Sequence, residues 1–246
     1  MLPLVKSATV SALWRYPVKS LRGERLDAAD LDARGVAGDR VYAVLTAEGK
    51  PGSGKDTRRF GRIDGLFALA AHLDDRGVPV ITLPDGATIH ADDPTAVMAL
   101  RRALDQRVSL ARERDVSHFD AAPIHLVTSS SLAWLRAAVS NTAPNTAPNT
   151  AIDERRLRPN IVLDTGDAPP HIEEQWIGRT LAIGPVRLRI HKRTERCVMV
   201  GHAQSDLAAS PDVLRAIANG NGACIGVYAN VIEAGRIHTG ATVEIR

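Results

Sequence analysis

Leu181-Ala-Ile-Gly-Pro-Val-Arg-Leu-Arg-Ile-His-Lys-Arg-Thr-Glu-Arg-Cys197 reads as two short strands, around Leu181–Ile183 and Val186–Ile190, that lead directly to a cysteine. Arg189, Lys192, Arg193 and Arg196 surround that cysteine with positive charge. Cations favour the ionised thiol, which is the form that acts as a nucleophile or a metal ligand. The same stretch taken alone reads more readily as a half-buried cysteine whose basic neighbours are merely solvated. Alternation along a strand also sends only every second side chain toward the thiol.

Further segments of the same kind lie on both sides. Ala8–Leu13, Val41–Thr46, Ile124–Thr128, Ile161–Leu163, Cys224–Ile232 and Ala241–Ile245 read as strands, and Val78–Leu83 with Ala87–His90 reads as a hairpin. Three helices are expected. One spans 94–106 with Val97, Leu100 and Leu104 on its apolar face. A second is capped by Ser129 or Ser130 and buries Leu132, Leu135 and Val139. The third is short, starts at Ser210-Pro211 and has Gly220 as its stop. Many short strands with glycine turns and few helices predict a mostly β (α+β) chain built on closed or nearly closed β-barrels.

Composition narrows the function. The chain has 246 residues, 44% hydrophobic and 24% charged, with a net charge of +3. A pI near 9.1 is too mildly basic to argue for nucleic acid. The basic residues are mostly arginine, whose planar fork suits phosphates and carboxylates. Cys197 and Cys224 are the two cysteines, too few for a zinc ribbon or a four-cysteine iron–sulfur cluster. No apolar run approaches the ~20 residues of a membrane span, and the first residues do not have the pattern of a secretory leader. The expectation is a reduced, cytoplasmic protein with no membrane association.

Several local features remain. Gly49-Lys-Pro-Gly-Ser-Gly-Lys-Asp56 matches seven positions of a phosphate-binding P-loop, but the eighth is Asp56 where magnesium binding needs Ser or Thr. It is read as a flexible basic surface loop whose Lys55, Arg58, Arg59 and Arg62 border an anionic site at most. The Asn-Thr-Ala-Pro repeat over 141–151 is read as an insertion without chemistry. His90, His118 and His125 lack metal-ligand spacing, and Cys224 is read as a core thiol.

Trp14-Arg-Tyr-Pro-Val-Lys-Ser20 resembles the opening of the MOSC N-terminal β-barrel domain. Arg158-Pro-Asn160, Trp176-Ile-Gly178, Glu195-Arg-Cys197 and Gly235-Arg-Ile-His-Thr-Gly240 resemble, in order, the MOSC domain itself. The resemblance implies an N-terminal β-barrel-like domain over 1–120 and a MOSC domain over 121–246. It is greatest to amidoxime-reducing molybdenum enzymes and their bacterial counterparts. It implies that Cys197 ligates the molybdenum of a molybdenum–molybdopterin cofactor. Lys19, Ser20, Arg40, Ser129, Ser130, Arg158, Asn160 and Arg196 would contact the pterin or its phosphate. The implied activity is reduction of N-hydroxylated or N-oxygenated small molecules, with an external electron-transfer protein as donor because no iron–sulfur domain is present. A non-catalytic carrier of cofactor or persulfide sulfur on Cys197 stays open. Nothing resembles the pyridoxal-dependent domain of the full sulfurases.

Overall fold

The first described strand, Ala8–Arg15, and the last, Thr242–Ile245, lie side by side, and that contact brings segments from both ends of the described chain into one barrel. The structure is a computed structural model that describes residues 8–142 and 152–246. Seven strands close into a ring: Ala8–Arg15, Ile161–Asp164, Ile124–Thr128, Cys224–Glu233, Val186–Glu195, Thr180–Ile183 and Thr242–Ile245, which returns to the first. Every pairing in the ring is antiparallel except that of Ile124–Thr128 with Ile161–Asp164. A parallel pair needs a crossover, because a tight hairpin cannot return the chain in the same direction. Helix α2 (Ser129–Thr142) begins that crossover; α1 is Ala96–Leu104 and α3 is Asp212–Asn221.

Strand alternation divides the apolar residues between two layers. Ile124 and Leu126, Ile161 and Leu163, and Leu188 and Ile190 point into the barrel, where they pack with Leu13, Leu181, Val227 and Val243. The intervening Val127 and Val162, with Ala12 and Ile225, face outward. There they are covered by Leu132, Leu135 and Val139 of α2 and by Val213 and Ile217 of α3. A separate core of Val18, Leu21, Val44, Ile63, Leu69, Ile81, Leu100 and Leu104 holds the N-terminal strands against α1.

The mostly β fold and the three helices agree with expectation, and three details differ. Helix α3 runs past Gly220 and stops at Gly222, which takes the left-handed conformation at φ 58°. At Gly220 a Cβ would lie 2.4 Å from the Trp134 ring, so this glycine serves a close helix–helix approach and not a cap. Gly235–His238 is not only a turn: it pairs as a strand with Ala28–Asp32 before the chain reverses at Gly240. The P-loop look-alike is not a surface loop throughout. Gly52 and Ser53 are buried and pair in parallel with Gly61 and Arg62, and the Gly54 N–H donates to the Met199 sulfur at 3.0 Å. The expected repeat insertion lies, from residue 143 to 151, outside the described residues.

Candidate functional site

A cavity of about 720 Å³ lies between the N-terminal strands and the outer face of the barrel. Its size falls within the ordinary range for small-molecule and cofactor sites. Lys19, Ser20, Arg40, Arg158, Asn160, Arg196 and Cys197 all line it. So do eight lysines and arginines in total, against only Asp120 and Glu195. A concave surface with this balance concentrates anions.

The floor is built from residues that are far apart in sequence. Lys19 follows the Tyr16-Pro17 corner on a short strand, Val18–Lys19, that pairs in parallel with Tyr42–Leu45. Its side chain is only 4% exposed, and its ammonium meets Asp120 at 2.8 Å and stands 4.4 Å from the centre of the Phe60 ring. Burial lowers the Lys19 pKa. The Asp120 side chain is 58% exposed; partial desolvation in the cavity opposes its ionisation, but Lys19, Arg40 and Arg158 outweigh it and hold that carboxyl well below the usual carboxylate range. Ser20 donates its hydroxyl to the Gly52 carbonyl at 2.9 Å, which ties this corner to the glycine-rich loop.

Arg40 is neutralised from behind by Asp39, a fully buried carboxylate that also accepts the Tyr16 N–H at 2.8 Å. Asn160, also fully buried, holds three segments together. Its side-chain oxygen accepts from the His125 N–H at 3.2 Å and from Arg40 at 3.4 Å, and its amide donates to the Trp14 carbonyl at 3.3 Å. Arg158 donates to the Leu21 carbonyl at 2.6 Å, while its other terminal nitrogen is buried without a partner. Burial lowers its pKa to about 10, so it stays cationic at neutral pH. Ser20, Arg40 and Arg158 all adopt left-handed backbone, with φ of 64°, 52° and 52°. This conformation costs a non-glycine residue on the order of 1 kcal/mol or more, and such strain collects at binding sites.

Cys197 leaves the long barrel strand Val186–Glu195 and enters the short 3₁₀ turn Val198–Gly201. Buried Val200 anchors that turn in the outer apolar layer, and Arg196 fixes the approach by donating to the Leu157 carbonyl at 2.8 Å. Arg196 Nε, like His125 Nε2, is also buried without a hydrogen-bond partner. Lys192, Arg193 and Arg196 share the cavity with the thiol, whereas Arg189 turns away and donates to the Gly178 carbonyl. Arg193 is partly committed to Glu174, at 2.9 Å.

Ser129 and Ser130 do not line this cavity. Their hydroxyls are taken up at the start of α2, where Ser129 donates to Asp164 and Ser130 to the Pro169 carbonyl, beside a buried Glu173 held by Thr128 and Ser131. Lys55 lines the cavity, but Arg58, Arg59 and Arg62 do not. Four participants were not singled out from the sequence, Asp120, the partner of Lys19, among them. Asp39 carries only its place beside Arg40 as a signal. Cys224, read as a core thiol, is half-buried on the cavity wall because its strand pairs with the Cys197 strand, Cα partner to Glu195. His125 faces outward from its strand, between the inward Ile124 and Leu126, and so meets the cavity.

Burial first, then the charge of Arg196, pushes the His125 pKa down to about 3, so its imidazole is neutral at physiological pH. The unfolded chain binds the extra proton between that value and the ordinary 6.5. Stability should therefore fall as the pH drops through this window. Urea titrations at pH values of about 7 and 4.5 should show His125→Gln losing less stability on acidification than wild type. Equal losses would mean that His125 contributes nothing to the acid sensitivity.

No group of three His, Cys, Asp or Glu side chains among the described residues is placed to hold a metal ion. A metal at Cys197 would therefore need most of its ligands from a bound group. Among the described residues no helix is long and apolar enough to cross a membrane.

A seven-stranded barrel and an N-terminal β unit that enclose one cationic, thiol-bearing cavity define a two-part β protein. Residues 7–115 match the model of the MOSC N-terminal beta barrel domain and residues 113–244 that of the MOSC domain. The chain belongs to the MOSC domain family. It is 26% identical over 239 residues to the human mitochondrial amidoxime-reducing component 1, in an alignment covering 80% of this chain and 66% of that protein's length. The solved YUAD protein from Bacillus subtilis has a similar fold, with a TM-score of 0.51 and 14% identity over 97% of this chain and 95% of that one.

Proposed function

We propose that the cavity holds a molybdenum–molybdopterin cofactor, that the Cys197 thiolate ligates the metal, and that the protein reduces N-hydroxylated or related N-oxygenated compounds. The observation that carries this reading is the meeting of Cys197 with Lys19, Ser20, Arg40, Arg158, Asn160 and Arg196 on one cavity, although they come from four separate stretches of the sequence. Membership of the MOSC family and the likeness to a protein named for amidoxime reduction support it.

The residues fit such a group. A soft thiolate suits molybdenum in a sulfur-rich setting. A phosphate needs charge-assisted donors, and the partnerless nitrogens of Arg158 and Arg196 are buried donors of that kind. Bound there, the cofactor would supply two-electron reduction with removal of the substrate's oxygen. Arg40 and Arg158 would hold the phosphate, Lys19 would be kept in place by Asp120, and Asn160 would lock the floor to the barrel. The exposed wall at Lys192, Gly222 and Ile177 would leave substrate an open approach to the thiol side. An external electron-transfer protein would supply the electrons.

The test is reduction of an amidoxime to its amidine and water, a two-electron, two-proton reaction, by protein from a cofactor-competent host with a reduced viologen dye as donor. Turnover that scales with molybdenum content is expected. Full metal loading with no turnover of any N-hydroxylated substrate would replace the reductase with a carrier of the cofactor.

A further inference from the structure

We propose that Tyr16 is a positioning residue that holds the guanidinium groups of Arg40 and Arg158 together on the cavity floor through the face of its ring. This rests on reading that floor as the anion-binding part of the site. The two guanidinium carbons stand over the Tyr16 ring, 4.9 and 4.1 Å from its centre. Two like charges gathered in a buried corner repel each other, and only Arg40 has a carboxylate partner there, Asp39. Among the described residues Arg158 makes no ion pair. The negative face of an aromatic ring attracts cations, most strongly where water is excluded, and Tyr16 is 2% exposed.

Tyr16 is itself held on every side. Its N–H donates to Asp39, its carbonyl accepts the Arg40 N–H at 2.7 Å, and its hydroxyl donates to the Pro159 carbonyl at 3.2 Å. The backbone of Gly23 closes over one edge of the ring, where a Cβ would lie 2.5 Å from a ring carbon. Tyr16 is thus bonded through its backbone to Asp39 and Arg40 and through its hydroxyl to Pro159, the residue after Arg158, while its ring lies against both guanidiniums. Such a pre-set pair of forks binds a tetrahedral oxyanion without first paying to bring the charges together.

The test measures binding of inorganic phosphate to the cofactor-free protein by calorimetry, with circular dichroism and thermal melting as fold controls. Tyr16→Phe keeps the ring face and should bind within about threefold of wild type, whereas Tyr16→Leu should bind about tenfold or more weakly. Because Tyr16→Leu risks misfolding, the second series places phenylalanine with increasing ring fluorination at position 16. Fluorine drains the negative face at nearly constant shape, so phosphate affinity should fall step by step from the Phe variant onward. Affinity indifferent to fluorination, or a Phe variant as weak as Leu, overturns the proposal and leaves the proposed function standing. A wild-type protein that binds no phosphate at all removes the anion site, and with it both the proposal and the cofactor reading.

Discussion

Cys197→Ala is expected to give a folded protein that has lost at least about 100-fold in molybdenum retention and all measurable amidoxime reduction. Loss of groups that merely orient metal ligands already costs about 10–100-fold in affinity, and Cys197 would be the sole side-chain ligand. The fold should survive because the thiol is only half-buried and the turn after it is anchored by Val200, so a stability change of about 1 kcal/mol is expected. Cys224→Ala is the internal control. Both thiols line the cavity, so position in the cavity alone does not separate them. The Cys224 variant should keep its metal and its turnover. Retention of metal by the Cys197 variant, with loss from the Cys224 variant, would transfer the ligand role to the other strand.

Asp39→Ala is expected to cost about 3–5 kcal/mol in a urea titration, the largest stability effect of any single change at the site. The substitution leaves the Arg40 charge in a buried corner without its counter-ion, beside the second cation Arg158. It also strips the Tyr16 N–H of its acceptor. Asp39→Asn keeps an oxygen for that N–H and loses only the charge, so it should fall between wild type and alanine. A loss below about 1 kcal/mol for Asp39→Ala would show that Arg40 reaches water when its partner is removed, and that the floor is softer than its burial implies.

Much of this architecture was legible from residue patterns. Leu132, Leu135 and Val139 mark the buried face of α2, and the segments at 124–128, 161–163 and 181–190 are all barrel strands. These are local signals, a period of 3.6 or of 2 carried by consecutive residues. The ring closure between Ala8–Arg15, Ile161–Asp164 and Thr242–Ile245 is not local, because pairing partners more than 100 residues apart leave no trace in either strand's own pattern. The same limit explains Lys55, whose loop reads as solvent-exposed until its contact with Met199 is known. Sequence alone misreads Cys224, and leaves the direction of Arg189 open, for a related reason. Which wall a strand residue faces depends on bulges in the pairing of Val186–Glu195 with Cys224–Glu233, and the sequence of one strand does not reveal them. Ser129 and Ser130 look like donors waiting for an anion at a helix start, but Asp164, Thr165 and Pro169 occupy their hydroxyls.

The central claim is that this cavity holds a molybdenum cofactor through a protein thiolate. The most direct measurement is the molar content of molybdenum and pterin in wild-type protein from a host able to make the cofactor, beside protein from a host unable to make it. About one molybdenum and one pterin per chain is expected from the first host and neither from the second. Correctly folded protein from the first host with no molybdenum and no pterin, even after incubation with isolated cofactor, would contradict the account.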